Sequence, residues 1–487
     1  MRFNKILLTN LISHEAPTFK RRTVLRAGIG YIAQSLRDNN IEYRVVDLAL
    51  GYTVRDLLGK IGKFKPDVVG ITMFTYRYSE VYGIIKTIRQ AFPDVKIACG
   101  GPHVTTFRVK TLEQCPEIDF GIIGEGEDTV IELCSGKELS EIKGLLYREN
   151  GKIRDNGNRP YNLDLDAISF PRYANFELEN YPLKGAPVSE RIIPLVTSRG
   201  CPYDCIYCPV KTAIGQKFRF RSVENILLEM NHWYGLGYRR FSFIDDNFTL
   251  LKERVDKLCD AVRDAGMNDL ILSLPNGIRA DKIDRPLLEK MYSIGFRFIG
   301  FGVESGNNRI LKILKKHETI ETIETAIQNA CEIGYFVDLF FLIGSPEETE
   351  KEVMESVATA SRHPVDNVFY FNLIPYPETE LYEWAEKNAK LLYEPEYYLN
   401  KIHSNMDNPV FETAGFPAEA RRRMLKFARN SEKKRKVGQY VKKLNAKGVR
   451  GFPATFIANI YAAKFVQRLF NDIQLLAKVK SRIYSHV

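Results

Sequence analysis

Short apolar runs alternate with helical patterns along the first 140 residues of this chain. Runs rich in Val and Ile, bounded by Gly, Pro or Asp, predict five strands, at residues 5–9, 43–48, 67–72, 95–100 and 119–124. Apolar residues at helical spacing predict helices at residues 23–39, 54–63, 79–91 and 128–135. Parallel strands joined by right-handed helical crossovers form an open, doubly wound sheet. We therefore predict a Rossmann-like α/β domain over residues 1–140, with its ligand site at the carboxyl ends of the strands.

A second series of strands and helices follows a connector that we place at residues 141–190, where a hairpin and several prolines interrupt the pattern. The strands are predicted at residues 192–198, 240–245, 270–275, 297–304, 337–344 and 367–374. Helical patterns lie between them, at residues 222–236, 251–265, 284–294, 319–334 and 349–362. Six such units curl into a partial (β/α)6 barrel over residues 191–390, with its chemistry at the carboxyl ends of the strands.

Composition narrows the class of protein. The 487 residues are 45% hydrophobic and 27% charged, which is typical of soluble globular domains and excludes a mainly disordered chain. Eight cysteines are too few for a small disulfide scaffold. The first residues lack the apolar stretch of a secretory signal, and we find no uninterrupted apolar run of about 18 residues. We therefore expect a cytoplasmic protein without a clear membrane span.

Positive charge is concentrated at the carboxyl end. The chain has a net charge of +10, yet residues 416–487 alone contain 18 Lys and Arg against 3 Asp and Glu. Helical spacing over residues 420–444 and 452–483 predicts a basic α-helical region at residues 391–487. It could cap the barrel with a solvated basic face, or it could lie on an anionic membrane surface at the inner membrane face. Nucleic acid is disfavoured because the region has no recognisable reader motif.

Three cysteines follow the first barrel strand. Cys201, Cys205 and Cys208 have the spacing C-x3-C-x2-C, in a loop at the carboxyl end of that strand. Thiolates so close together can bind one metal centre, and sulfur ligands favour an iron–sulfur cluster or zinc. Three ligands on a cluster that normally has four leave one iron open to an exchangeable ligand. A zinc site short of its fourth ligand, or three free thiols, is the alternative.

This cysteine loop, with the aromatic Tyr207 before its last cysteine, resembles that of the radical S-adenosylmethionine (SAM) superfamily. The resemblance implies a [4Fe–4S] cluster that binds SAM at its fourth iron and cleaves it to a 5′-deoxyadenosyl radical. Later strand ends resemble the family's contacts to the SAM amine, ribose and adenine. The residues that we assign to SAM on this basis are Tyr207, Asp245, Asp246, Asn276, Arg279, Glu304, Ser305 and Gly344.

The first domain resembles the cobalamin-binding domain that precedes many such barrels. The residues that we assign to cobalamin lie in its strand-end loops, namely Thr72, Phe74, Thr75, Tyr76, Gly100, Gly101, Pro102, His103, Gly124, Glu125 and Glu127. The D-x-H-x-x-G loop that supplies a histidine to cobalt in other cobalamin proteins is absent, and His14 is not in that setting. The loop after the third strand is then expected to cover the lower cobalt face, which would favour methyl transfer.

Together these resemblances imply a cobalamin-dependent radical SAM enzyme. We expect methylation of an unactivated carbon of a small-molecule or lipid-like substrate, with an electron donor such as flavodoxin or ferredoxin. The alternative is a cyclisation or ring rearrangement without methyl transfer. A non-catalytic corrinoid carrier would leave the three-cysteine loop unexplained.

Overall fold

Two sheets, one mostly parallel and one fully parallel, form the framework of the chain. The computed structural model describes residues 2–11, 25–181, 187–446 and 451–462. The predicted loop at residues 13–19, which contains His14, therefore lies outside the described residues, as do residues 463–487 of the predicted basic region.

The first sheet has seven strands in the order β2-β1-β3-β4-β5-β6-β7. Its strands are β1 (Lys5–Asn10), β2 (Glu42–Asp47), β3 (Val68–Thr72), β4 (Lys96–Gly100), β5 (Phe120–Ile122), β6 (Leu145–Glu149) and β7 (Lys152–Asp155). The first five are parallel, which confirms the predicted doubly wound sheet. The β6–β7 hairpin, which we predicted as part of the connector, pairs antiparallel with β5 and extends the sheet to Asp155.

Six helices flank this sheet, and two of them were not predicted. They are α1 (Ala27–Asp38), α2 (Val54–Phe64), α3 (Tyr78–Ala91), α4 (Pro102–Phe107), α5 (Val109–Gln114) and α6 (Glu127–Ser135). Pro102 begins α4 with the backbone angle that a first helical turn needs. Arg108, at a φ of 48°, separates α4 from α5. Helices of six residues are too short to give a clear 3.6-residue periodicity, so the sequence pattern suggested a loop.

The second sheet is a partial barrel of six parallel strands, in the order β15-β14-β13-β12-β11-β8. In chain order these six strands are β8 (Ile192–Leu195), β11 (Arg240–Phe243), β12 (Ile271–Ile278), β13 (Phe296–Glu304), β14 (Phe336–Ile343) and β15 (Asn367–Asn372). Two short strands between β8 and β11, β9 (Ser198–Arg199) and β10 (Arg219–Phe220), form a separate antiparallel pair. The helices are α7 (Val210–Ala213), α8 (Val223–Gly235), α9 (Lys252–Asp264), α10 (Arg285–Ser293), α11 (Asn308–Ile313), α12 (Ile320–Ile333) and α13 (Glu350–Arg362).

The chain continues past the barrel with further helices and one short strand pair. These elements are α14 (Glu380–Asn388), β16 (Lys390–Leu391), α15 (Pro395–Lys401), β17 (Phe411–Glu412), α16 (Ala418–Ala446) and α17 (Phe452–Ala462). A helix therefore occupies most of each stretch of the basic region that the structure describes. Within the described residues, no helix is both long and apolar enough to cross a membrane.

One apolar core is shared by the first sheet and the barrel. It joins residues of α2 and α3, such as Leu57 and Ile85, to Ile206 in the cysteine loop and to Tyr398 in α15. Ile206 also donates its backbone N–H to the carbonyl of Leu314 at 3.2 Å. Burial of this shared surface brings the strand-end loops of the first sheet towards the cysteine loop.

Helix α16 packs along the edge of the barrel. Leu425 and Ala428 are completely buried, and Met424 is 5% exposed. Arg429 donates from its guanidinium to the carbonyl of Tyr370 in β15, at 3.0 Å. The apolar face of α16 thus contacts the protein, so this part of the basic region is a cap on the barrel.

Leu425→Ala in α16 is expected to lower the free energy of unfolding by about 2–5 kcal/mol, since it removes a fully buried side chain from this contact. Denaturant unfolding followed by circular dichroism measures the change. Phe427→Ala on the same helix, where the side chain is 44% exposed, is the control and should change it by about 0.5 kcal/mol or less. Equal effects of the two substitutions would contradict the assigned face of α16.

Candidate functional site

The cysteine loop leaves β9 through a turn that only glycine can make. Gly200 has a φ of +86°, and a Cβ there would lie 2.5 Å from the carbonyl oxygen of Lys217. Cys201 then donates its N–H to the carbonyl of Gly215 at 3.2 Å, and Cys208 donates to the carbonyl of Cys205 at 3.1 Å. These contacts fold the loop back on itself, and all three thiols are partly exposed.

The surroundings of the three thiols act on their pKa values in opposite directions. Burial raises the pKa of each thiol, to about 12 for Cys208. For Cys205 the positive charges of Lys316 and Arg279 oppose this rise. A metal centre binds thiolates and so displaces these protons. Among the described residues no three His, Cys, Asp or Glu are arranged around a single ion. The thiolates of a four-iron cluster stand further apart than the ligands of one ion.

Asp245, at the end of β11, fixes the end of the neighbouring strand. Its carboxylate accepts from the N–H of Thr197 at 2.7 Å, from the Thr197 hydroxyl at 2.5 Å and from the Ser198 hydroxyl at 2.6 Å. Arg254 lies 3.7 Å from the same carboxylate. The side chain is 4% exposed, so the structure ties Asp245 to its protein neighbours.

Asp246 and Asn247 point towards the cysteine loop instead. The Asp246 carboxylate accepts from the N–H of Gly200 at 3.3 Å, and burial raises the pKa of Asp246 to about 6. The amide nitrogen of Asn247 lies 3.9 Å from the sulfur of Cys201. Its buried Oδ1 has no hydrogen-bond partner among the described residues. A buried unsatisfied oxygen costs free energy unless a ligand donates to it. We did not predict Asn247 as a site residue, although it follows the acidic pair directly.

Glu304, at the end of β13, has a strained backbone. Its φ is +63°, a left-handed value that few residues other than glycine adopt. Lys316 donates to its carboxylate at 3.2 Å, and both side chains are nearly buried. The next residue, Ser305, is completely buried and accepts from the N–H of Asn307. The carboxylate of Glu304 also lies beside the buried hydroxyl of Tyr207, whose pKa is raised by burial and by this charge.

Arg279 holds the segments around the cysteine loop together. Its guanidinium donates to the carbonyls of Lys316 at 2.7 Å and His317 at 3.1 Å and to Asp281 at 2.9 Å. It also lies 3.6 Å from the ring centroid of Tyr203, between the first two cysteines. With its N–H donors engaged in this way, Arg279 connects the cysteine loop, through the ring of Tyr203, to the segment at residues 316–317.

Asn276 lies near the carboxyl end of β12, at the same edge of the barrel. Its exposed side chain donates to the carbonyl of Ile244 at 2.8 Å, which leaves its amide oxygen towards solvent. The structure thus brings it beside the end of β11.

Gly344 begins a tight turn at the end of β14. Its φ is +103°, and a Cβ there would lie 2.8 Å from the guanidinium of Arg421 in α16. The buried Glu348 carboxylate accepts from the N–H groups of Gly344 at 2.6 Å and Ser345 at 3.1 Å. Burial raises the pKa of Glu348 to about 7 and lowers that of Arg421 to about 10. Sequence analysis missed Arg421 because its partners at this turn, Gly344 and Glu348, are more than 70 residues away in the chain.

The β3 and β4 ends of the first sheet come together in a backbone cradle. Gly101 has a φ of +103°, and a Cβ there would lie 2.9 Å from the carbonyl of Met73 and 3.2 Å from the Thr72 hydroxyl. Any residue other than glycine at position 101, between Gly100 and Pro102, would therefore clash with the end of β3. Cradles of this kind let backbone groups approach a ligand closely.

The loop after β3 is held by the segment beyond the barrel. Arg77 donates its N–H to the carbonyl of Leu399 at 3.0 Å, and the ring of Tyr76 meets that of His403 edge-on at 5.0 Å. The guanidinium of Arg26 lies 5.2 Å from the ring centroid of Phe74. Thr75 lies between these contacts and is partly exposed.

His103, which we assigned to cobalamin, lies in the interior of the first domain. The ring is completely buried and stacks on Tyr78 at 4.5 Å, with Phe107 also adjacent at 4.7 Å. Its Nε2 is 3.0 Å from the Tyr82 hydroxyl. Burial lowers the pKa of His103 to about 3, so the ring is neutral at physiological pH. His103 is the second residue of α4, which turns its side chain inwards.

Glu125 and Glu127 are engaged in an interdomain clamp, which we define as their ion pairs with Arg199 and Arg219. Arg199 lies 3.1 Å from Glu125 and 2.7 Å from Glu127, and Arg219 lies 2.8 Å from Glu125. Burial would raise the pKa of Glu125, but the two arginines hold it below its usual value. These carboxylates, which we assigned to cobalamin, instead attach the β5 loop to the start of the cysteine loop.

A cavity of about 300 Å³ opens beside this clamp. It lies between Gly124 at the β5 end, Thr105 in α4, Tyr161 of the connector and α7. Gly124 donates its N–H to the Thr105 hydroxyl at 2.9 Å, which shapes the cavity wall. The strand-end loops of the first sheet and the helix after Cys208 therefore line one common space.

Two parts of the chain match described families. Residues 195–360 match the Radical SAM superfamily, and residues 23–134 match the B12 binding domain. The first segment contains the three-cysteine loop, and the second contains the cradle at Gly101.

Three relatives resemble most of the chain. An uncharacterized methyltransferase of Pyrococcus horikoshii is 32% identical over 408 residues, which are 82% of this chain and 86% of that protein. The cytidylyl-2-hydroxyethylphosphonate methyltransferase of Streptomyces wedmorensis is 28% identical and covers 78% of this chain and 81% of its own. An anaerobic magnesium-protoporphyrin IX monomethyl ester cyclase of Cereibacter sphaeroides is 23% identical over 73% of this chain and 60% of its own.

Two solved structures have the same fold. The radical SAM methyltransferase TsrM of Kitasatospora setae, with cobalamin and a [4Fe–4S] cluster bound, superposes with a TM-score of 0.65 at 20% identity, over 80% of this chain and 75% of its own. The cobalamin-dependent radical SAM enzyme OxsB gives a TM-score of 0.70 at 17% identity, over 99% of this chain and 75% of its own. At this identity the matches show the fold.

Arg199→Met is expected to lower the free energy of unfolding by about 3–5 kcal/mol, because it leaves the nearly buried Glu127 carboxylate without its cation and Glu125 with Arg219 alone. Denaturant unfolding measures the change. The control is Arg154→Met, whose pair with Glu149 is about half exposed and should contribute about 1 kcal/mol at most. If both variants unfold like the wild type, the interdomain clamp does not exist in solution.

Proposed function

This chain belongs to the cobalamin-dependent radical SAM enzymes, and on that premise we propose that it transfers a methyl group to an unactivated carbon of a small-molecule or lipid-like substrate. The observation that carries the proposal is one of proximity. A single shared core and the interdomain clamp bring the cobalamin-domain strand ends to the cysteine loop. Relatives named as methyltransferases support this reaction.

The chain's residues divide into ligands of the cluster and groups that would orient SAM. We propose that Cys201, Cys205 and Cys208 hold the [4Fe–4S] cluster. The unpaired oxygen of Asn247 and the carboxylate of Asp246 suit a SAM amine, since both are acceptors next to the cysteine loop. Asp245 and Arg279 act through their neighbours, because protein partners already occupy their polar atoms.

The turn at Gly344 and the carboxylate of Glu304 complete the proposed SAM site. Ser345 has a buried hydroxyl without a hydrogen-bond partner among the described residues, beside the glycine turn. A ligand donor or acceptor would satisfy it. Glu304 lies at the carboxyl end of the neighbouring strand β13 and is held there by Lys316.

The residues of the first domain would hold cobalamin against the mouth of the barrel. When bound, the cluster and SAM supply a radical and cobalamin supplies the methyl group. Gly101 lets the β3 and β4 ends approach each other closely, and Phe74, Thr75 and Tyr76 line the loop beside them, which contains no histidine or cysteine. A lower face without a strong donor favours methyl transfer. The packing of α15 and His403 on this loop helps to exclude water.

Ring formation without methyl transfer is the second candidate. The magnesium-protoporphyrin ester cyclase relative favours it, because it is similar over 73% of this chain. The mass of the product separates the two reactions, since methylation adds one CH2 unit and cyclisation does not.

The electron that SAM cleavage requires must come from a reductant. We propose a small electron carrier such as flavodoxin or ferredoxin, because the cluster accepts one electron at a time at low potential.

Cys208→Ala is expected to abolish cluster assembly, because two cysteines cannot hold a [4Fe–4S] cluster in place of three. Iron content and visible absorbance after anaerobic reconstitution measure it, and 5′-deoxyadenosine formation from SAM measures the reaction. The control is Cys331→Ala in α12, which should keep both properties. Retention of cluster absorbance and SAM cleavage by Cys208→Ala would refute the proposed function.

Contact with an anionic membrane surface is a proposal for the part of the chain after Ala446, since α16 uses its apolar face on the barrel. A chain ending at residue 446 keeps that cap. We expect flotation with liposomes containing anionic lipid to be lost in this truncated chain and kept in the full chain. Equal flotation of the two would remove the proposal.

A further inference from the structure

Three consecutive residues after α11 connect the cysteine loop to its surroundings. We name Lys315, Lys316 and His317 the KKH turn. Lys315 and His317 have left-handed φ values of 51° and 54°. Such values are strained for residues other than glycine and persist where the surroundings impose them.

Each side chain of the KKH turn has a different partner. Lys315 reaches Glu380 at the surface at 2.7 Å. His317 lies 2.7 Å from Asp204, which stands between the first two cysteines. Lys316 alone turns into the protein, where it is 6% exposed and lies 3.2 Å from Glu304 and 3.5 Å from Glu318.

The contact between Lys316 and Glu304 is built over a glycine. A Cβ on Gly302 would lie 2.7 Å from the Glu304 carboxylate and 3.0 Å from the Lys316 ammonium. Residue 302 must therefore be glycine, because a larger side chain would displace the ammonium and the carboxylate from this contact. Lys316, together with the Tyr207 hydroxyl, holds the carboxylate of Glu304, whose backbone is also left-handed.

Lys316 also brings a positive charge close to the cysteine loop. It acts electrostatically on Cys205, and Arg279 binds its backbone carbonyl at 2.7 Å. A positive charge near an iron–sulfur cluster stabilises the reduced state and raises the reduction potential. In a site largely screened from water, such an interaction is stronger than at the surface.

We propose that Lys316 is a positioning residue of the SAM site, which orients Glu304 for SAM and raises the reduction potential of the cluster held by Cys205. This inference rests on the proposed function, and it adds a role for a residue that binds neither cofactor directly.

The test compares Lys316→Met with Lys315→Met in reconstituted full-length protein. Lys316→Met removes the buried charge at similar length, whereas Lys315→Met removes its 39% exposed neighbour from the same turn. We expect Lys316→Met to bind SAM about tenfold or more weakly in anaerobic titration. We also expect its cluster to have a more negative midpoint potential in a redox titration followed by electron paramagnetic resonance. Lys315→Met should match the wild type in both, and Lys316→Arg should restore the potential.

A second variant tests orientation without changing charge. Gly302→Ala places a methyl group against the Lys316–Glu304 pair and should weaken SAM binding.

The possible results separate the inference from the proposed function. A wild-type chain that forms no cluster or binds no SAM would refute the proposed function itself. A Lys316→Met variant that keeps its cluster, SAM affinity and midpoint potential would overturn the inference alone. Loss of iron from Lys316→Met but not from Lys315→Met would also overturn it, because Lys316 would then serve cluster assembly. Unchanged SAM binding by Gly302→Ala would contradict the orienting role.

Discussion

Burial of one apolar surface between the first sheet and the barrel is the interaction on which the rest of the structure depends. It places Ile206 of the cysteine loop in the same core as α3 and α15. Apolar burial is strong but has no direction, so it brings the two parts together without setting their register. The interdomain clamp supplies the direction, because the carboxylates at the β5 end pair with Arg199 in β9 and Arg219 in β10, the two short strands on either side of the cysteine loop. A weaker contact between the two parts would separate two cofactor sites that must act on one substrate.

Left-handed backbone angles mark the rims of both sheets. Gly101, Gly200 and Gly344 have φ values of 86° to 103°, and Glu304 has 63° without being a glycine. The glycines allow close approach of backbone groups at no steric cost, whereas Glu304 requires its partner Lys316 to hold it. Strain at the site is therefore compensated by buried polar contacts around it. The tail contributes to the same rim, since Arg421 of α16 lies beneath the Gly344 turn.

Sequence analysis was most successful where one residue spacing carries both structure and chemistry. The alternation of strands and helices predicted the two sheets, and C-x3-C-x2-C marked the loop that the structure places at the end of β9. It was weaker for polar residues at loop ends. His103 and Glu125 both belong to the predicted loops. The ring of His103 is nevertheless buried, and the carboxylate of Glu125 pairs with Arg199 of the barrel. Their positions along the chain do not reveal which way α4 or the β5 loop turns. Sequence analysis did not identify Lys316 and Arg421, because only the folded chain brings Lys316 to Glu304 and Arg421 to the Gly344 turn.

What the sequence by itself determined is the local order of elements and the spacing of the three cysteines in their loop. Both depend on residues within a few positions of each other, where spacing translates directly into geometry. Only the tertiary structure decided which protein groups each carboxylate contacts. Asp245 and Asp246 are adjacent in the chain, but Asp245 is bound by Thr197 and Ser198 while Asp246 reaches Gly200. The same holds for α16, whose basic pattern fits a membrane surface or a barrel cap equally well. The choice depends on a partner surface distant in the chain, and the edge of the barrel supplies it.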